Sequence, residues 1–317
     1  MTPHIRGVDP GTPDLVVAES VVAALAAQAP VVALETSVIT HGLPPGEGVP
    51  AALELESIVR DTGATPATIG VLEGRVRIGL SSDEIAALAV PGRALKLNPG
   101  NLAAAIASVA WGSATVAAAL WMAHRAGIRV LATGGIGGVH RGDSGDESAD
   151  LAALARWPVA VVCSGAKAVL DLPRTRERIE TLGIPVLGLG TGELPAFYRR
   201  SSGLPVDHEC ATADDAARTI EAHWRLGGAG VLVANPVPAD EEMPRDLCES
   251  AIARALEEAA ARRLAGRAVT PFLLDRVREL TGGQSLAVNR ALLRSNVEAA
   301  ARLAAALAAR PYVDPDE

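Results

Sequence analysis

Short apolar runs alternate with amphipathic helical segments along nearly all of this 317-residue sequence. Runs rich in Val, Ile and Leu that end in turn residues are typical of buried β-strands. The predicted strands cover 31–34, 67–72, 75–80, 128–132, 159–163, 185–189 and 230–234. This alternation predicts an α/β sandwich with a mixed, largely parallel sheet, and it places a functional site in the loops at the strand ends.

Helices are predicted between these strands. One covers residues 14–28, and another begins near Glu47. Ser81 is a predicted N-cap, because the acidic pair Asp83–Glu84 follows it in what would be the first helical turn.

The C-terminal part of the sequence is predicted to be helical. From about Ser250 onward no strand is expected, and the helices are broken at Gly266, Pro271 and Gly282–Gly283. No linker rich in Pro, Gly or Ser and no repeat divides the sequence. We therefore predict a single domain over residues 1–317, with residues 1–13 as a flexible tail.

The composition argues against several classes of protein. The sequence has 29 basic and 37 acidic residues, a net charge of −8 and 3% aromatic residues. Nucleic-acid sites need basic stripes and stacking rings, so we expect no nucleic-acid polymer as a partner. Cys163, Cys210 and Cys248 include no CxxC pair, which argues against disulfides and structural zinc and favours a reducing cytoplasm. The N-terminus also lacks the organisation of a signal peptide, so a cytoplasmic location is expected.

One uncharged stretch is long enough to cross a bilayer. Residues 102–123 carry no charge over 22 residues, but Ala, Gly, Ser and Thr dominate them. We therefore predict closely packed buried helices broken near Gly112, and no membrane partner.

The sequence contains only two lysines, Lys96 and Lys167, while the other 27 basic residues are arginine. Arginine replaces lysine wherever a solvated positive charge suffices, but a guanidinium does not give up its proton to act as an amine. The two lysines are therefore either chance survivors at the surface or residues retained for chemistry, and their number alone does not decide between these.

Lys167 follows a predicted buried strand and a possible cap at Ser164. We predict that it lies in the first turn of the next helix, the positive end of the helix dipole. A lysine placed unfavourably beside apolar residues is more easily deprotonated and can form a Schiff base with an aldehyde. The alternative is a lysine that reaches into solvent; the rarity of lysine favours the nucleophile.

Glu35 ends another predicted buried strand and is followed by Thr36, Ser37, Thr40 and His41. A carboxylate at a strand end beside apolar residues can have a raised pKa and act as a general acid. A cap or turn residue is the alternative.

Two features follow the strand at 128–132. The glycine-rich segment ATGGIGGVHRG (132–142) either cradles a phosphate with its backbone N–H groups or forms an ordinary tight loop. Beyond it an acidic run either holds a hard cation such as Mg²⁺ or Mn²⁺ or forms a solvated face. The run comprises Asp143, Asp146, Glu147 and Asp150.

Taken together, these segments resemble the pseudouridine-5′-phosphate glycosidase family (pseudouridylate synthase; indigoidine-synthase-A-like). The matching stretches are ALETSVITHG (33–42), PATIGVLEGRVRIGL (66–80), ATGGIGGVHRG (132–142), DESADL (146–151), residues 161–203, VANPVP (233–238), TPFLLDRV (270–277) and GGQSLAVNRALLRSN (282–296). The resemblance implies a three-layer α/β/α sandwich assembled as a homotrimer. It also implies a lyase that interconverts pseudouridine 5′-phosphate with uracil and ribose 5-phosphate.

The resemblance further implies roles for individual residues. Glu35 falls on the family's proton donor, Lys167 on its Schiff-base lysine and Asp146 on its metal ligand, which holds Mn²⁺ or another divalent cation, one per subunit. The positions that would contact the sugar-phosphate substrate are Lys96, Val116, Thr133, His140, Ser148, Ala149, Asp150 and Asn289.

Three segments differ from the family pattern. LNPGNL (97–102) lacks the usual basic run, GSATV (112–116) has Ala114 where threonine is usual, and LPPGEG (43–48) lacks an asparagine common in relatives. The resemblance places segments of this kind near the base-recognition side, so the alternative function is a C-ribosyl synthase that joins ribose 5-phosphate to a non-uracil acceptor. A non-catalytic sugar-phosphate-binding protein is a third possibility from a different class.

Overall fold

The computed structural model describes residues 15–142, 145–264 and 269–310. The predicted tail at 1–13, Asp143 of the acidic run and the predicted helix break at Gly266 lie outside these described residues.

The described residues form one sheet of eleven strands. They are β1 (Leu15–Val17), β2 (Val31–Leu34), β3 (Thr65–Leu72), β4 (Arg75–Ile78), β5 (Leu95–Leu97), β6 (Gly112–Ala114), β7 (Val130–Ala132), β8 (Ala160–Cys163), β9 (Val186–Leu189), β10 (His208–Cys210) and β11 (Val231–Ala234). The central strands β2, β7, β8 and β11 are fully buried, as their runs of Val, Leu and Ala require.

The strand order is β1-β4-β3-β2-β7-β8-β11-β9-β10, with β6 beside β3 and β5 beside β6. Among the strand pairs, β3 runs antiparallel to β4 and to β6, and the others are parallel. This topology confirms the predicted mixed, largely parallel sheet.

Helices cover both faces of the sheet, which confirms the predicted α/β/α arrangement. They are α1 (Glu19–Ala26), α2 (Gly48–Asp61), α3 (Ser82–Leu88), α4 (Pro99–Ala107), α5 (Val116–Arg125), α6 (Ala149–Leu154), α7 (Leu172–Thr181), α8 (Ala213–Arg225), α9 (Arg245–Ala261), α10 (Val269–Leu280) and α11 (Gln284–Ala308). A π-helix over Val38–Gly42 and a 3₁₀-helix over Ala239–Glu241 complete the regular elements of the described chain. The last three helices follow the last strand, as predicted.

The long helix α11 closes the core at the C-terminal end of the described chain. It packs on β2, β7 and β8 and also contacts α2 and α8. The main hydrophobic cluster accordingly extends from Val21 to Leu307. Elements from both ends of the described chain therefore share one hydrophobic cluster, and the single domain over residues 1–317 stays a prediction.

Several sequence predictions about helix boundaries are confirmed. Ser81 caps α3 through a capping box with Glu84, and α2 begins directly after Glu47. The break between α10 and α11 falls at Gly282 and Gly283, whose φ angles are +59° and +88°.

Other predictions are wrong for identifiable reasons. The segment predicted as a helix from residue 14 begins with β1, whose three residues pair with β4. Pro271 lies in the first turn of α10, where the missing N–H of proline does no harm, so it does not break the helix.

The alanine-rich segment 102–123 contains a strand between its two helices. Gly112 is the first residue of β6. A Cβ at that position would lie 2.2 Å from Leu97 Cδ1 on β5, so the close pairing of these two strands requires glycine. Thr115 then caps α5. Within the described ranges no helix is long and apolar enough to cross a membrane.

Candidate active site

Four parallel strands end side by side at one edge of the sheet. The register pairs Leu34 with Ala132, Ala132 with Val162, and Cys163 with Ala234. The first residue after each of these strands is polar, and these residues are Glu35, Thr133, Ser164 and Asn235. The carboxyl edge of the parallel strands is therefore a polar cluster within an apolar core, where ligands bind in open α/β sheets.

Glu35 is 7% exposed at this edge. Its Oε2 accepts a hydrogen bond from the Val38 N–H at 3.1 Å, and its Oε1 accepts one from the Thr133 hydroxyl at 3.3 Å. Burial raises the pKa of the Glu35 carboxyl, although the positive charge of Lys167 and hydrogen bonds from Ser37 and Val38 oppose this effect. Glu35 is buried at a strand end, as the sequence suggested, and it also accepts from the N–H three residues on, as a turn residue would. Its role as a general acid stays a prediction.

Lys167 lies in the loop between β8 and α7, so the prediction that it occupies the first turn of a helix is wrong. Gly165 has a φ of +78°, which interrupts any helix there, and α7 starts only after Asp171, whose side chain caps it. Backbone hydrogen bonds hold the loop: Ile136 N–H donates to the Gly165 carbonyl, and Lys167 N–H donates to the Ile136 carbonyl, both at 3.0 Å. Lys167 itself is half-buried.

The glycine-rich segment 134–138 lies against this lysine loop, and its glycines are required by close packing. A Cβ on Gly135 would lie 2.6 Å from the ring of Phe197, and one on Gly165 would lie 2.1 Å from the Pro195 carbonyl oxygen. Phe197 is 2% exposed and has a φ of +64°, a conformation that a non-glycine residue adopts only where packing enforces it. The loop around Pro195 and Phe197 is thus a rigid support for the lysine loop.

Lys96 belongs to the same electrostatic cluster. It lies on β5 and keeps access to solvent, yet partial desolvation and the charge of Lys167 lower the pKa of its ammonium group, while Asp150 and Glu35 act in the opposite direction. Asn101 Nδ2 donates to the Lys96 carbonyl at 3.0 Å and holds this short strand to the start of α4. The structure therefore brings both lysines of the sequence to one site.

Asp150 connects two parts of the site. Its Oδ1 accepts from the Ala117 N–H in the first turn of α5, and its Oδ2 accepts from the Gly137 N–H, at 2.9 and 2.8 Å. Ser148 caps α6 by accepting from the Asp150 N–H at 3.2 Å, and a Cβ on Gly137 would lie 2.2 Å from the Ser148 hydroxyl. These contacts place Ser148, Ala149 and Asp150 beside the glycine segment.

Val116 and Asn289 approach the cluster from two helices. Val116 is the first residue of α5, directly before Ala117, and its side chain is 3% exposed. A Cβ on Gly134 would lie 3.5 Å from Asn289 Oδ1, so Asn289 on α11 faces the segment that follows Thr133.

His140 and Asp146 lie on a hairpin-like segment beyond the glycines. The His140 N–H donates to the Asp146 carbonyl, and the Ser148 N–H donates to the Gly138 carbonyl, both at 3.0 Å. Glu147, the neighbour of Asp146, forms an ion pair with Arg178 at 2.9 Å. The acidic run is therefore divided among several roles. Over the described ranges, no three His, Cys, Asp or Glu side chains form a group that could hold a metal ion.

The sequence predictions did not single out Asn296. Its side chain is fully buried on α11 and donates to the carbonyl oxygens of Thr133 and Gly134 at 2.9 and 3.2 Å. An asparagine on the apolar face of a helix, between Leu292 and Ala300, is the signal that would have found it.

His41 also approaches this cluster. It lies in the last turn of the π-helix that follows Glu35, and partial burial together with the charge of Lys96 lowers the pKa of its imidazole. The π-helix is itself an uncommon element that often occurs at functional sites.

The arrangement combines a buried acid, an amine on a rigid loop and a second amine. A buried acid with a raised pKa can deliver a proton near neutral pH, and a lysine amine can bond to an aldehyde carbon. The site therefore has the groups needed for acid-assisted Schiff-base chemistry on an aldehyde.

Comparison with known proteins gives a consistent result. The family described as indigoidine synthase A like protein matches residues 20–306. The chain is 50% identical to a pseudouridine-5′-phosphate glycosidase of Methylobacterium nodulans over 92% of this chain and 87% of the relative. It is 47% identical to one of Geobacillus kaustophilus over 92% of this chain and 97% of the relative.

Two solved structures share the fold. The prealnumycin C-glycosynthase AlnA in complex with ribulose 5-phosphate has a TM-score of 0.87 and 38% identity, covering 93% of this chain and 97% of that one. An indigoidine synthase A-like protein from Thermotoga maritima has a TM-score of 0.85 and 33% identity, covering 97% and 99%.

Proposed function

Because the chain belongs to the indigoidine synthase A-like family, we propose that it is a lyase that reversibly cleaves the C–C glycosidic bond of pseudouridine 5′-phosphate to uracil and ribose 5-phosphate. The observation that carries this proposal is the meeting of Glu35 and Lys167 at one edge of the sheet, with burial raising the pKa of the Glu35 carboxyl. Relatives at 45–50% identity bear the name of this enzyme.

The proposed reaction uses these two residues in defined steps. The C1′–O4′ bond opens, O4′ takes a proton, and the Lys167 amine bonds to C1′. Glu35 then delivers a proton to C5 of the base. The C1′–C5 electron pair leaves with the base as uracil, and the nitrogen lone pair forms an iminium at C1′. Water hydrolyses the iminium to the aldehyde of ribose 5-phosphate and releases Lys167.

The other residues of the cluster bind and orient the substrate. Lys96 offers a positive charge beside Lys167, suited to an anionic substrate group, and its lowered pKa makes it able to assist proton transfer. Thr133 keeps the Glu35 carboxyl in position through its hydroxyl. His140, Ser148, Ala149 and Asn289, with the first turn of α5 at Val116, would form the wall around the sugar phosphate.

We propose Asp146 as the ligand of Mn²⁺ or another divalent cation, one per subunit. Asp146 offers a hard carboxylate ligand beside the glycine segment, where its backbone carbonyl accepts from the His140 N–H at 3.0 Å. A hard cation could take this carboxylate and complete its shell with water and substrate oxygens. When bound, such a cation would orient substrate oxygens and offset their negative charge.

The decisive experiment combines turnover with chemical trapping. Purified protein with Mn²⁺ is expected to release uracil from pseudouridine 5′-phosphate. Borohydride is expected to trap ribose 5-phosphate on Lys167, which mass spectrometry can distinguish from Lys96 because the sequence has just these two lysines. Lys167→Ala and Lys167→Arg should both lose the adduct, since arginine forms no imine, whereas Lys96→Arg should retain it.

The outcomes distinguish the lyase from a non-catalytic binding protein. Adduct formation without uracil release from folded, Mn²⁺-loaded protein would contradict the lyase. Absence of both would indicate a non-catalytic sugar-phosphate-binding protein.

A C-ribosyl synthase with a non-uracil acceptor is the second candidate. Two observations favour it: the structural neighbour with a TM-score of 0.87 is named a C-glycosynthase, and residues 97–102 form a neutral helix cap, in which Asn98 and Asn101 make a reciprocal capping box. Turnover of ribose 5-phosphate with uracil at an ordinary rate would exclude it.

We also propose a cytoplasmic homotrimer, to be tested by light scattering and cell fractionation. The three cysteines are free and buried, as expected in a reducing compartment.

A further inference from the structure

A buried hydrogen-bond network lies directly behind the candidate site, with Asn296 at its centre. Asn296 has no solvent exposure, and its Nδ2 donates to the carbonyl oxygens of Thr133 and Gly134 and to the Ser164 hydroxyl, at 2.9, 3.2 and 3.1 Å. Its Oδ1 accepts from Asn235 Nδ2 at 2.9 Å. Ser164 in turn donates to the Asn235 carbonyl at 2.9 Å. One amide therefore connects the ends of β7, β8 and β11.

The same amide joins the two segments that carry the proposed chemistry. Asn296 donates to the Thr133 carbonyl, and the Thr133 hydroxyl donates to Glu35. Asn296 also donates to the Ser164 hydroxyl, and Ser164 begins the loop that leads through Gly165 to Lys167. Backbone hydrogen bonds also link these two segments: Thr133 N–H donates to the Val162 carbonyl, Ser164 N–H donates to the Gly134 carbonyl, and Ile136 bonds to both Gly165 and Lys167. The amide of Asn296 adds a side-chain link to these backbone contacts.

Packing alone does not explain why an asparagine occupies position 296. Its neighbours on the buried face of α11 are apolar, and Leu292, Val297 and Ala300 are each at most 1% exposed. A buried amide is unfavourable unless its donors and acceptor are all satisfied, whereas leucine would fill the same space without that requirement. Here each polar atom of the amide has a partner, all of them at the strand ends of the site.

We propose that Asn296 is a positioning residue that sets the distance between the acid and the nucleophile by holding the Thr133 and Ser164 segments together. It does not touch the substrate, because it is fully buried. The proposal rests on the proposed function for its kinetic readout, but it also makes a structural prediction that does not depend on it.

The test is Asn296→Ala, with Leu303→Ala as the matched control. Leu303 lies two turns further along the same helix, is fully buried and takes no part in the network, so its truncation destabilises the core without affecting the strand ends. In Asn296→Ala we expect kcat for uracil release to fall about 100-fold, because misplacement of reacting groups by about 1 Å has an effect of that size. KM should stay near the wild-type value. Leu303→Ala should retain kcat.

Hydrogen exchange provides the readout that is independent of activity. The amides of Ser164 and Lys167, which donate to Gly134 and Ile136, should exchange faster in Asn296→Ala than in Leu303→Ala. Equal exchange in the two variants, or an equal loss of kcat, would overturn the proposal. Should the wild-type protein release no uracil, the exchange comparison still decides the positioning role. If Asn296→Ala does not fold, Ser164→Ala takes its place, because it removes the hydroxyl that bonds to Asn296 and to Asn235. It should give the same faster exchange and lower kcat, each by a smaller amount. Unchanged exchange and kcat in Ser164→Ala would count against the positioning role.

Discussion

Replacing Gly165 with alanine should damage the site by a predictable amount. The added Cβ would lie 2.1 Å from the Pro195 carbonyl oxygen, and φ at this position is +78°. A non-glycine residue in the left-handed region costs about 1–2 kcal/mol. Overpacking adds about 1–3 kcal/mol. We therefore expect the free energy of unfolding to fall by about 2–5 kcal/mol, the sum of these two contributions.

The same substitution should displace the nucleophile. Relief of the contact requires a shift of about 1 Å in the loop, and Lys167 follows two residues later, so the rate of borohydride trapping with ribose 5-phosphate should fall about 100-fold. Urea denaturation measures the first effect, and mass spectrometry of the trapped adduct over time measures the second.

Gly183 provides the matched control for this experiment. Its φ is +67°, but an added Cβ would meet no atom within 4 Å, and it lies in the turn before β9, at the opposite edge of the sheet. Gly183→Ala should therefore lose only about 1–2 kcal/mol and keep the wild-type trapping rate. Equal stability and equal trapping in the two variants would refute the claim that packing against Pro195 positions the lysine loop.

Two further predictions concern the acid and the metal. Since burial raises the pKa of Glu35 in the folded protein, folding becomes less favourable as pH rises from the unfolded value near 4.5 through the folded pKa. Glu35→Gln should therefore gain stability over the wild type across that range, with no gain at lower pH, while turnover falls about 10²–10⁴-fold. Thermal unfolding at several pH values checks the sign, and a gain that is largest at acid pH would contradict it. Treatment with EDTA should abolish uracil release, and Mn²⁺ should restore activity to the wild type but not to Asp146→Asn. Full activity after chelation would show that the cation is dispensable.

The sequence predicts the long apolar strands well and the three-residue strands poorly. The central strands are runs of Val, Leu and Ala buried on both faces, a pattern that few other structures produce. β5 and β6 have three residues each, and the Gly-Ser-Ala composition of β6 carries no strand signal. Their formation depends on tertiary contacts such as that between Gly112 and Leu97.

The site was predictable where residues follow strong strands. Glu35 and Thr133 lie where the strand ends place them, and Lys167 lies close to them although the predicted helix around it is absent. That error arose because a strand followed by Ser-Gly-Ala resembles a helix start, while the left-handed Gly165 can be recognised only from its close contact with Pro195. Asn296 was missed although an asparagine on the apolar face of a helix is a signal, because its partners at the ends of β7, β8 and β11 lie far away in the sequence.

The location of Asn296 on the last described helix has a consequence for biosynthesis. The segments that hold Glu35, Thr133 and Lys167 are synthesised more than a hundred residues before α11, and the carbonyls of Thr133 and Gly134 lack their amide partner until that helix docks. Given the positioning role proposed above, a nascent chain does not yet carry an aligned lysine. Assembly of the proposed site therefore depends on the docking of α11 and is not achieved by the strands alone.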